Sequence, residues 1–192
     1  MEFKIVLTDE EFEATDNLIQ KAYHSKKLID EGDYTHINRV KKHSFIRAYG
    51  KKDLDPIITC SAIISSKKEE LPSSDIYDEE IAALLKAKEY VAEVCLLADC
   101  RKIPRYNDLL NLLSLLSSES LKRGVPNVIL SVNPKSCNFY ESFFNCTKLG
   151  IEKEYEKLSE APAQLMYCDL DLIDSENFPN LFRQTIYKYY HA

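Results

Sequence analysis

Tryptophan is absent from the 192 residues and glycine occurs only four times, so twelve tyrosines and eight phenylalanines must supply the aromatic bulk of any core. There is no extended basic stripe. Short clusters such as Lys41-Lys42-His43 read as solvated surface, and a net charge of −6 gives no reason to expect a nucleic-acid partner. No two of the six cysteines, Cys60, Cys95, Cys100, Cys137, Cys146 and Cys168, stand in C-x-x-C spacing, which argues against a zinc or dithiol redox motif. The four histidines show no metal-ligand spacing, so no metal is expected. No apolar run approaches the roughly 20 residues of a membrane span, and Met1-Glu2-Phe3-Lys4 lacks a charged-then-apolar leader pattern. Cys60, Cys95 and Cys168 lie inside apolar strand-like runs, as small hydrophobes do, and a reduced, cytoplasmic location is expected.

What is present is a regular succession of short apolar segments. Phe3 to Leu7 reads as a strand. Thr8 with Glu11 forms a capping-box start for a helix that fades after His24. Gly32 to Asn38 reads as turns. His43 to Tyr49 and Ile57 to Ile64 read as an antiparallel hairpin joined by Gly50 to Pro56. Ser65 to Ser74 is polar and reads as exposed, and Asp75 to Ala87 as a helix. Tyr90 to Ala98, "YVAEVCLLA", is almost wholly apolar, the mark of a central strand covered on both faces. Tyr106 to Lys122 carries seven leucines on a wide helical stripe closed by Gly124. Asn127 to Val132, a strand, meets Asn133-Pro134 and a short helix over Lys135 to Phe144. Cys146 to Tyr155 and Ala163 to Leu170 read as strands, and Asn180 to His191 as a terminal helix. No internal repeat or low-complexity linker divides the chain. The expectation is one α/β domain over residues 1–192, with a mixed central sheet flanked by helices and a C-terminal helical extension over 171–192.

This order, with "EVCLLADC", "SLKRGVPNVILSVNP" and "NFYESFFNCTKLG", resembles the GNAT superfamily of N-acyltransferases, well over about residues 90 to 171 and by element order alone before that. Ala92-Glu93, Leu97-Ala98, Asn133-Pro134, Phe139-Tyr140 and Ala161-Pro162-Ala163 running to Leu170-Asp171 resemble, more narrowly, the long-chain N-acyl amino acid synthases. Leu96 and Ser136 stand where those enzymes often have Arg and His. The resemblance implies transfer of an acyl group, long-chain in the narrower family, from a thioester donor to a small amine such as an amino acid. The donor would be acyl-CoA or the phosphopantetheine arm of an acyl carrier protein. Backbone groups of Leu96, Leu97 and Ala98 would hold that arm. An acetyl-CoA-dependent N-acetyltransferase, or an inactive module that binds a ligand or protein, are the alternatives.

Such chemistry needs a base for the amine, a place for the oxyanion and a proton for the leaving thiolate. Glu93, on the apolar central strand, is the candidate base, since lost hydration lifts a carboxylate toward neutral pH. The competing reading is a buried Glu paired with Lys or Arg. Tyr140 is the candidate acid; otherwise it is a core tyrosine. Asn133 and Ser136 are candidate substrate contacts, and capping the helix that follows is the commoner use of an Asn placed, like Asn133, before a proline-initiated turn. The loop Asp99 to Asp108 has no glycine to bring bare amides to a pyrophosphate, and Pro104 removes a donor. Arg101, Lys102 and Arg105 remain for a phosphate. A basic, glycine-free loop suits a single phosphate better than CoA, or else has lost cofactor binding.

Overall fold

The computed structural model describes residues 1–43, 46–52 and 55–192. Its elements in chain order are β1 (Glu2–Ile5), α1 (Asp9–Ser25), α2 (Thr35–His43), β2 (Ile46–Lys52), β3 (Asp55–Ser65), α3 (Asp78–Ala87), β4 (Val91–Asp99), α4 (Tyr106–Lys122), β5 (Asn127–Val132), α5 (Cys137–Phe144), β6 (Cys146–Tyr155), β7 (Ala161–Asp169) and α6 (Asn180–Tyr190). Among the described residues these strands form a seven-stranded sheet in the order β1-β2-β3-β4-β5-β7-β6. β4 and β5 are parallel and the other neighbours antiparallel, which is the mixed α/β sheet expected.

Both faces of the sheet are covered. Leucines of α4, with Tyr140, Phe144, Phe178 and Phe182, fill one core. Leu18, Ile19 and Tyr23 of α1, Ile37 and Val40 of α2, and Ile81 of α3 fill the other. That double covering is why β4 reads as a continuous apolar run. α6 docks along α4: the Tyr189 hydroxyl donates to Asn111 Oδ1 at 2.8 Å, and Lys122 Nζ donates to the Tyr189 carbonyl at 3.0 Å.

Three segments depart from the sequence reading. Thr35 to His43 is a helix, where turns were expected as far as Asn38. Its apolar side rests on Ile37 and Val40 in a short and otherwise polar stretch, so no apolar run marks it as a helix. The polar stretch Ser65 to Ser74 is exposed only in part: two 3-10 turns run through it, Ser66, Lys67 and Glu69 are exposed as expected, and Leu71, Pro72, Ser73 and Ser74 are buried. The hairpin of β2 and β3 is tighter than expected, with Lys52 opposite Asp55. The tip of the expected loop, Asp53 and Leu54, and Ser44 and Phe45 of the expected strand lie outside the described residues.

α1 is fixed to the sheet by a buried cation. Arg47 of β2 is 1% exposed; its guanidinium donates to Asp16 Oδ1 at 2.5 Å, Thr15 Oγ1 at 3.1 Å and Ser61 Oγ at 3.0 Å. Removing one partner of such a pair leaves a charge stranded without water. Asp16→Ala is therefore expected to cost about 3 kcal/mol or more in urea unfolding, and the double variant Asp16→Ala/Arg47→Met to recover most of it.

Candidate active site

The middle of the sheet comes apart at one place. β4 and β5 pair only at Ala92 with Val128 and at Glu93 with Ile129. On its other side β4 carries a bulge: Cys95 faces Ser61, Ala98 faces Thr59, and Leu96 and Leu97 have no partner in the register. Leu96 has φ of 52°, a left-handed conformation that costs a leucine on the order of 1 kcal/mol. The extra residue breaks the alternation, so Cys95 and Leu96 both pack toward the α1–α3 core. Beyond Glu93 the two parallel strands splay, and a cavity of about 520 Å³ occupies the opening. Its wall includes Tyr23 and His36 from one side of the sheet and Leu113 and Tyr140 from the other, so it passes through the sheet. A second cavity of about 370 Å³, bounded by Arg105, Tyr106 and Phe139, shares Lys26, Leu97, Ser136 and Tyr140 with the first. A groove of about 970 Å³ along β1 and α1 is larger, but none of the candidate residues lines it.

Glu93 is 2% exposed. Its partner is a serine, not the Lys or Arg of the competing reading. The Ser73 amide donates to its carboxylate at 3.0 and 3.2 Å, and the Ser73 hydroxyl donates to Oε1 at 2.6 Å. The Ser73 hydroxyl also lies 2.7 Å from that of Ser131 on β5, a short polar chain across the splayed strands. Burial lifts the Glu93 pKa from its ordinary 4.5 to about 7; the Ser73 bonds and the positive charge of Arg39 oppose that rise without cancelling it. Ser73 belongs to the turn Pro72–Asp75, which is held from three directions. Tyr155 donates to the Pro72 carbonyl at 2.7 Å, and Arg39 and Lys157 pair with Asp75 at 2.5 and 2.9 Å.

Tyr140 is 6% exposed, in a cluster with Phe139 and Phe144. Its hydroxyl has no hydrogen-bond partner among the described residues, and burial raises its pKa, so it stays protonated and able to donate. Asn133 caps the turn Pro134–Ser136 through Oδ1, which accepts from the Lys135 amide at 3.0 Å, and it also lines the larger cavity. Ser136 lies on both cavities.

The loop before α4 separates its three cations. Arg101 turns inward and is clamped by Asp99, at 2.7 Å, and by Asp108. Lys102 and Arg105 are exposed and make no ion pair among the described residues, and Arg105 borders the smaller cavity. Leu96, Leu97, Glu93, Tyr140, Asn133 and Ser136 are thus brought to one cavity, while Ala98, Arg101 and Lys102 are not on its wall. Sequence reasoning missed Ser73, Ser131, His36 and Lys26. No local pattern marks any of them, because each reaches the site from a separate segment. Among the described residues no group of three or more His, Cys, Asp or Glu side chains is placed to hold a metal ion, and no helix is long and apolar enough to cross a membrane.

The profile of the family described as N-acyl amino acid synthase FeeM matches residues 14–169, most of the chain. The chain belongs to this family. It is an N-acyltransferase with the GNAT fold. The solved structure of FeeM, an N-acyl amino acid synthase from uncultured soil microbes, superposes with a TM-score of 0.76 at 21% identity, covering 88% of this chain and 92% of that one. Escherichia coli ElaA gives 0.63 at 11% identity, over 88% and 100% of the two chains. An acyl-CoA N-acyltransferase from Pseudomonas aeruginosa gives 0.61 at 9%, over 87% and 98%. A comparison with curated protein sequences finds no match.

The Glu93 environment sets a pH dependence of stability and, with Glu93 as the base, one of rate. Its folded pKa lies above the unfolded value, so the native state binds the extra proton. Its contribution to stability is full below about 4.5 and is lost as pH rises through about 7, a difference of about 3 kcal/mol. Glu93→Gln is expected to flatten this part of the stability–pH curve in denaturant titrations. Ser73→Ala removes a bond that favours the charged carboxylate. The alkaline-rising limb of its rate profile should move up by about one pH unit; an unmoved limb would detach Ser73 from the titrating group.

Proposed function

We propose that the protein transfers an acyl group, long-chain in the preferred reading, from a thioester donor to the amine of a small acceptor such as an amino acid. The observation that carries this is the cavity through the β4–β5 opening, with Glu93 on its wall and Tyr140 shared with the second cavity. The amine loses a proton to Glu93, directly or through water, as its nitrogen attacks the thioester carbonyl. The tetrahedral intermediate collapses, the C–S bond breaks, and Tyr140 gives its proton to the departing thiolate. Solvent then restores both groups. The backbone of Leu96 and Leu97, which have no partner in the register, supplies hydrogen bonds to the pantetheine arm, with Ala98 marking where β4 rejoins the ladder. Asn133 and Ser136 contact substrate at the mouth of the helix that carries Tyr140.

The loop favours a carrier-protein arm over CoA. It offers no glycine amides, and Arg101 is neutralised by two carboxylates. Arg101 then shapes the loop, and Lys102 and Arg105 meet the one phosphate of a phosphopantetheine. Membership of the N-acyl amino acid synthase family supports an amino-acid acceptor.

The test compares thermal stabilisation by acetyl-CoA, palmitoyl-CoA and acylated carrier protein with thiol release in the presence of amino acids. The long-chain carrier substrate is expected to stabilise and turn over. Stabilisation by acetyl-CoA alone would overturn the long-chain reading in favour of N-acetyl transfer. Tyr140→Phe is expected to lower kcat about a hundredfold with little change in donor KM.

A further inference from the structure

His36 is a buried titratable group of the cavity that the proton transfers above do not use. It enters from the first turn of α2 and lines the same cavity as Glu93, Ser73 and Tyr140. The side chain is 7% exposed, and its Nδ1 is shut off from solvent with no hydrogen-bond partner among the described residues. A buried nitrogen left unpaired lowers stability, and such atoms are rare unless something else completes them. The neighbouring aromatic does not: Tyr155 meets the imidazole edge-to-face, with centroids 5.6 Å apart, and its hydroxyl is committed to the Pro72 carbonyl. The charges around the ring are Arg39 of α2, Asp75 of the Ser73 turn and Lys157 beyond β6. Both cations pair with Asp75, so the cluster carries a net positive charge.

We infer that His36 positions the acyl acceptor by a hydrogen bond from its imidazole to a polar group other than the reacting amine, an inference that rests on the acyl-transfer reading above. Burial holds the imidazole neutral, with its pKa down to about 4. It therefore presents one donor and one acceptor nitrogen across the working pH range. The positive surroundings favour an anionic group such as a carboxylate at that position. His36 would then separate amino acids from the corresponding simple amines.

The experiment pairs phenylalanine with phenethylamine as acceptors. His36→Leu should raise the KM for phenylalanine about ten- to a hundredfold, leaving kcat, donor KM and the KM for phenethylamine nearly unchanged. The melting temperature should stay level or rise, because an unpaired buried nitrogen is gone. His36→Asn, which retains a hydrogen-bonding group, should recover much of the phenylalanine KM. In ring-15N-labelled wild type, phenylalanine should shift the His36 resonances and phenethylamine should not. An unchanged phenylalanine KM in an active, folded His36→Leu protein, or parallel losses for both acceptors, overturns the inference and leaves acyl transfer standing. Wild type that acylates neither acceptor overturns the reaction for this pair; the 15N shift then decides His36 alone, and its absence overturns the inference too.

Discussion

Glu93 and Ser73 set the terms for everything around them. Burying a carboxylate with no cation beside it is unfavourable, and two bonds from one residue make it tolerable without making it comfortable. The Ser73 turn must therefore stay in place, and Tyr155, Arg39 and Lys157 hold it there from β6, α2 and the segment after β6. α2 is needed to supply Arg39 and His36; the β6–β7 pair is needed to supply Tyr155 and Lys157. A segment that looked like a polar linker is in fact the support of the site.

Which effect wins at Glu93 also decides what the site can do. If the Ser73 bonds outweighed desolvation, the carboxylate would be a weak base, fully ionised at neutral pH. Desolvation outweighs them, and the group sits near neutrality, where proton uptake and release are both accessible. An arginine in place of Ser73 would have given a more stable ion pair and a poorer base.

The elements with strong periodicity were legible in the chain. The apolar run of β4, the leucine stripe of α4 and the Asn133-Pro134 boundary before α5 all stand where their patterns put them. Glu93 and Tyr140 could be singled out as candidates because each sits in such an element. The rest of the site was hidden for a physical reason. Ser73 and His36 gain meaning only from partners far along the chain, and local polarity reads as solvation when the partner is out of view. The bulge at Leu96 was hidden too, because a residue with left-handed φ announces itself when it is glycine, and here it is leucine.

That leucine has a thermodynamic consequence. A glycine at position 96 would relax between several conformations and let the strand close over the opening. Leucine in a left-handed turn is held there by the packing of its side chain in the α1–α3 core, so the strain is part of the folded state. The opening between β4 and β5 is thus already present in the ligand-free fold. Binding then spends little free energy on prising strands apart, and more of the contact energy remains as affinity.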